Sequence, residues 1–160
     1  MFSRAVKLAM RNPSRAWLMA RMAAWVALLS GLVNVCSLPR ALRVVSAGTR
    51  SKPNTSACEG SELSTAIDAV LGLNIFVFKP SCWKRATVLH RYLAFNGVDT
   101  RIVFGVRKEP GGELKGHAWL ESEGQPILES ADPAYKTTYT FPSAEPFEIE
   151  LGLMAHTRNA

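Results

Sequence analysis

At Gly97 the hydrophobic period of this chain changes from helical to alternating. Upstream, "PSCWKRATVLHRYLAFNG" (residues 80 to 97) places Cys82, Ala86, Leu89 and Leu93 at i, i+4, i+7 and i+11, on one helical face. Pro80 and Ser81 stand where a start signal belongs, and Gly97 where a stop belongs. Downstream, "TRIVFGVRK" sets Ile102, Phe104 and Val106 against Val103, Gly105 and Arg107, the pattern of a strand. "EPGGELKG" reads as a turn, "HAWLES" as a second strand, "EG" as a tight turn, "QPILES" as a third strand and "YKTTYTF" as a fourth. Before Cys82, Ser61 opens a short helix with Leu63, Ile67, Val70 and Leu71 on one face. "NIFVFKP" then reads as a brief extended run. Helices followed by an antiparallel sheet define the α+β class.

The N-terminal part has a different character. Residues 1–53 carry nine Lys/Arg and no Asp/Glu, while residues 54–160 carry ten Lys/Arg and thirteen Asp/Glu. We therefore divide the chain into a hydrophobic, basic helical region with its linker (1–53) and a catalytic-type domain (54–160). Pro13 breaks a first helical pattern and Ser14 can cap a second, "RAWLMARMAAWVALLSGLVNV". Its longest charge-free run, Met22 to Val35, is 14 residues, short of the roughly 20 that span a bilayer. A signal peptide is the competing reading, but "VNVCS" lacks the small residues that precede a cleavage site. The expectation is a cytoplasmic protein whose hydrophobic helix docks on the body, on a partner or on the inner face of the membrane. Basic and aromatic residues are not interleaved as nucleic-acid binding requires, so no nucleic acid is expected.

The three cysteines, Cys36, Cys58 and Cys82, have no regular spacing and form no CxxC pair. This excludes a disulfide framework and argues against zinc. No metal or cofactor is expected. Cys82 differs from the other two because it opens a helix. The first turn of a helix has unpaired amides and a positive end, which favour an anion, and a thiol placed there is a better nucleophile. A small cysteine filling a core gap is the plainer reading of that stretch alone.

Cysteine peptidases and acyl transferases need a thiolate, a His that carries the proton and a polar group that orients the His. Here Cys82 starts a helix, His117 begins a strand 35 residues on, and Glu129 or Asp132 follows on the next strand. Backbone amides at the helix start, including that of Cys82, would form the oxyanion hole. A strand-end His bonded to a loop is the plainer reading of His117 alone. Trp83 either shapes the site or staples the helix, and Arg85 binds either substrate backbone or an acidic neighbour. Trp119 alternates with His117, so it shares its face and is expected to wall the substrate cleft. His90 and His156 read as structural or solvent-facing, and Cys36 and Cys58 as packing or linker residues.

"CWKRATVLHRYLAFNGVDTRIVFGVRK", followed by "GHAWLE" and a Gly, resembles the leader peptidases of lasso-peptide biosynthesis. These belong to the transglutaminase-like, papain-related cysteine peptidases. The resemblance covers about residues 60–142, and the chain resembles the split form that lacks a fused leader-recognition domain. It implies a transglutaminase-like core with the Cys helix packed on the sheet, Cys82 as nucleophile and His117 as proton carrier. It also implies hydrolysis of the bond that joins leader to core, in the maturation of a ribosomally made antibiotic peptide. The implied partners are the precursor leader peptide, a separate leader-recognition protein and the ATP-using lasso cyclase. Another transglutaminase-like acyl-transfer enzyme, or a catalytically silent module that presents a peptide, remains the alternative.

Two arguments compete for the third triad member. Spacing to the lasso family favours Glu129, twelve residues after the His. Register favours Asp132. If Glu123-Gly124 forms a two-residue turn, paired positions sum to 247 and His117 lies opposite Ser130. Ser130 and Asp132 then share the face of His117 while Glu129 points away. "ADP" also resembles the Asp-Pro that follows the catalytic His in transglutaminase-like proteins. A one-residue irregularity would hand the role to Glu129. The register reading selects Asp132.

Overall fold

The computed structural model describes residues 13–48, 60–129 and 134–142. Among these residues, four α-helices precede a four-stranded antiparallel sheet: α1 (Pro13–Val35), α2 (Leu38–Ser46), α3 (Gly60–Leu71), α4 (Cys82–Phe95), β1 (Arg101–Lys108), β2 (Leu114–Ser122), β3 (Gln125–Ile127) and β4 (Lys136–Phe141). The sheet order is β3-β2-β1-β4, so β4 returns to pair with β1 on the side away from β2. The α+β class expected from the change of period is the class observed.

Strand alternation divides the sheet into two faces. Ile102, Leu120 and Phe141 point to one side, where they join Leu63, Ile67, Leu89 and Leu93 in a single core. The α4 helix reaches that core through the face expected from the sequence: Ala86, Leu89 and Leu93 are buried. The four apolar positions of α3, Leu63, Ile67, Val70 and Leu71, are all buried against it. Arg85 ties these helices together, donating to Asp68 Oδ1 at 2.8 Å and Ser64 Oγ at 2.7 Å.

The described part of the basic N-terminal region, residues 13–48, contributes to this same core. Met22, Val26 and Leu42 are fully buried in the cluster that contains the sheet residues. The expected boundary at residue 53 falls within 49–59, outside the described residues, but apolar side chains on both sides of it share one core. Arg91 of α4 reinforces the docking. Its guanidinium lies 3.8 Å from the centre of the Trp25 ring and donates to the Val45 and Ala47 carbonyls at the end of α2, where a cation offsets the negative helix end. By length and composition alone α1 could cross a membrane, yet one side of it is committed to the protein interior.

Three boundaries differ from the sequence reading. β2 begins at Leu114 rather than His117, because Lys108↔Leu114 and Arg107↔Lys115 continue the ladder and the turn is confined to Glu109–Glu113. The "NIFVFKP" run is a 3₁₀ turn at Phe76–Phe78 rather than extended, with Asn74 and Phe76 at φ 49° and 46°. β3 stops at Ile127, since Leu128 turns to φ 61° and leaves the ladder.

Candidate active site

Cys82 is the first residue of α4. Ser81 precedes it with extended backbone (φ −156°, ψ 124°) and makes no side-chain cap bond. The first helical hydrogen bond runs from Arg85 N–H to Ser81 C=O, so the Cys82, Trp83 and Lys84 amides have no partner within the helix. The half-buried thiol therefore stands beside unpaired donors at a positive helix end. Lys84 donates to the Val77 carbonyl at 2.8 Å. Its pKa is lowered, first by burial and then by the nearby Lys79 cation.

The neighbours of Cys82 have structural roles in this arrangement. Trp83 packs against the small cluster of Leu29, Ala41 and Val45 between α1 and α2. Of the two readings for Arg85, the structure provides the acidic neighbour, Asp68.

His117 is the fourth residue of β2 and lies opposite Gly105 of β1. Its ring stacks on Trp119 at 6.0 Å with an interplanar angle of 18°, so the two share one face as alternation requires. Gly105 makes room for this stack: a Cβ there would stand 2.8 Å from Trp119 Cη2 and 3.1 Å from the Lys136 carbonyl. The pairing of β1 with β4 also shifts register between Phe104 and Gly105. Tyr135 closes the group, 5.4 Å from the His117 ring and 6.3 Å from Trp119. Arg107 sits over Tyr135 at 5.0 Å and pairs with Glu109 at 2.8 Å, while Trp119 Nε1 donates to Glu121 at 3.0 Å. Sequence reasoning missed Tyr135 as part of this cluster. Its only signal was an aromatic residue shortly after the "ADP" segment.

Glu129 Oε2 lies 3.4 Å from His117 Nε2. The expected register holds for Ser122↔Gln125, Glu121↔Pro126 and Leu120↔Ile127, with Glu123 and Gly124 both at positive φ in the two-residue turn. Continued alternation would have turned Glu129 away, as the register argument held. Leu128 overturns that expectation. It drops into the core beside Gly60 instead of following the ladder, within 3.2 Å of where a Cβ on Gly60 would be. This swings Glu129 to the His117 side. Asp132, chosen by the register argument, lies outside the described residues.

Cys82 and His117 are not hydrogen-bonded to each other among the described residues. The α4 helix packs on the face that carries Leu120, whereas His117 and Trp119 occupy the opposite face. β3 extends only as far as Leu120, so around His117 the imidazole lies beside an edge of β2 with no strand partner on that side among the described residues. The structure thus brings together the imidazole, Glu129 and an aromatic wall on one strand, and places the thiol separately at the helix start.

Two of the remaining candidates, His90 and Cys36, are held by contacts away from His117. His90 is buried and its Nδ1 lies 2.8 Å from Thr100 Oγ1. Cys36 donates its thiol to the Leu32 carbonyl at 3.0 Å at the end of α1. Cys58 and His156 lie outside the described residues. Among the described residues no three His, Cys, Asp or Glu side chains are grouped to hold a metal ion.

The profile of the transglutaminase-like superfamily matches residues 22–141. The chain belongs to that superfamily, whose members are in general cysteine peptidases or acyl transferases. The match begins within α1, consistent with the burial of Met22 and Val26. Neither a curated protein nor a solved structure matches the chain.

Proposed function

We propose that this protein is a cysteine peptidase that removes the leader from a ribosomally made lasso-peptide precursor. Membership of the transglutaminase-like superfamily, with a cysteine at the start of a helix and a carboxylate-paired histidine on the adjoining sheet, supports a cysteine peptidase or acyl transferase, and the lasso-leader substrate rests on the resemblance carried by "GVRK" and "GHAWLE". Cys82 Sγ attacks the carbonyl of the bond between leader and core. With Nε2 turned to Glu129, Nδ1 is the ring nitrogen left to take the thiol proton, and the protonated imidazole then gives it to the leaving amine. The unpaired amides of the first turn of α4 hold the oxyanion. Water, deprotonated by the same imidazole, cleaves the resulting thioester and frees the thiol. The released core amine passes to a separate lasso cyclase, and a separate recognition protein presents the leader.

The absence of a Cys82–His117 hydrogen bond favours the second reading, a module that presents a peptide without cutting it. One experiment separates them. The purified chain is incubated with a lasso precursor and its recognition protein, and the products are weighed by mass spectrometry. Leader and core fragments that appear with the native chain and not with Cys82→Ala support the peptidase. An intact precursor that co-purifies with the chain supports the module, and a leader joined to an added amine supports acyl transfer.

A further inference from the structure

We propose that the outward face of α1, together with the tip at Ile75 and Phe76, docks on the surface of an anionic lipid bilayer. Met22, Val26 and Leu29 are completely buried on one side of α1. On the opposite side, Trp17, Ala24, Leu28, Gly31 and Val35 fall three, four or seven residues apart and are all exposed. Trp17 is 67% exposed and Val35 84%. A surface helix ordinarily turns charge to water, and this face carries none.

The 3₁₀ turn packs beside α1, where the buried Ser30 Oγ contacts the Val77 carbonyl. Phe76 beside it is 87% exposed and held at φ 46°, a conformation unfavourable for an aromatic residue.

Charge selects the occupant. Arg21 borders the face on α1, and the exposed Lys79 follows the tip. Residues 1–53 carry no acidic residue at all. A second copy would bring these cations against each other, whereas an anionic headgroup layer neutralises them while Trp17 and Phe76 enter the interface. Since Met22, Val26 and Leu29 remain in the protein core, α1 lies along the bilayer surface rather than across it.

The test is flotation of the full chain with vesicles. The native chain is expected to float with mixed phosphatidylcholine–phosphatidylglycerol vesicles and hardly at all with phosphatidylcholine alone. The double variant Trp17→Ser, Phe76→Ser should lose about tenfold or more of that partition with an unchanged melting curve, since both side chains are exposed. Arg21→Glu should weaken it as well. Equal partition onto zwitterionic vesicles, native partition by the double variant, or a vesicle-indifferent dimer split by Ala24→Asp would each overturn the proposal. None of these outcomes depends on whether the protein is a peptidase.

Discussion

Glu129 Oε2 stands 3.4 Å from His117 Nε2 although strict alternation along β3 would turn it away. The cause is Leu128, whose burial against the core takes the chain to φ 61° one residue before the carboxylate. Glu129 is thereby the described acid able to orient the imidazole. Glu129→Gln is expected to lower leader cleavage about 10²-fold or more, chiefly in kcat, with KM little changed. Steady-state kinetics beside Asp132→Asn check this. A milder loss for Glu129→Gln than for Asp132→Asn would assign the orienting role to Asp132.

Cys82→Ala is expected to remove cleavage by on the order of 10⁴-fold or more while the melting temperature stays near native, because the side chain is half-buried at a helix start rather than inside the core. Cys36→Ala should retain activity, since its thiol only donates to the Leu32 carbonyl at the end of α1. Alkylation by iodoacetamide followed by peptide mapping gives an independent check: Cys82 should label ahead of Cys36. Equal labelling together with an active Cys82→Ala protein would sink the nucleophile assignment.

The helices were legible because their buried faces obey one period: Leu63, Ile67, Val70 and Leu71 in α3, and Ala86, Leu89 and Leu93 in α4, are buried as their spacing requires. The β2–β3 register was legible from the Glu123-Gly124 turn, whose two positive φ values fix the pairing. Leu128 was not legible. Whether a leucine continues a ladder or drops into a gap beside Gly60 depends on what the distant α3 leaves open there, and no local pattern carries that information. The sheet face on which His117 lies had the same obstacle. Alternation tied His117 to Trp119, but assigning that face to one side of the sheet required knowing that Ala118 and Leu120 face α4. Tyr135 reaches the His117 ring through a return connection between β3 and β4 that no spacing rule describes.

Gly105 is the position where the aromatic wall is most sensitive. Gly105→Ala puts a methyl 2.8 Å from Trp119 Cη2, closer than such contacts allow, and 3.1 Å from a backbone carbonyl, a tight contact. The expected cost is about 1–3 kcal/mol, read by thermal or urea melting. Part of the strain lies on the indole and part on the Lys136 carbonyl, so Trp119→Phe in the same chain should recover some of the loss. A double-mutant cycle that shows simple additivity would mean that Trp119 does not fill the space above Gly105.

The N-terminal helices are part of the folding unit. Met22 is completely buried in the core that includes Leu89 and Leu120, and Met22→Ala is expected to cost about 2–5 kcal/mol. Deletion of residues 1–45 removes Met22, Val26 and Leu42 together and should abolish a cooperative melt, as read by circular dichroism. A truncated protein that melts sharply at the native temperature would show that α1 and α2 are an appendage and support the domain boundary expected near residue 53.

His90 sets an acid limit on stability. It is buried on α4, edge-on to Phe141 at 6.1 Å, with its Nδ1 held by Thr100. Burial lowers its pKa below the ordinary 6.5, and the nearby Asp99 charge only partly offsets this. The unfolded chain therefore binds a proton at a pH where the folded chain does not. His90 contributes stability that is fully present above about pH 6.5. That contribution is lost as the pH falls below 6.5 toward the folded value, with a slope of at most about 1.4 kcal/mol per pH unit. Urea unfolding at a series of pH values should show this decline. In His90→Gln the decline over the same window should be shallower, although the variant is less stable at pH 7. Identical slopes in the two proteins would place the acid sensitivity elsewhere in the fold.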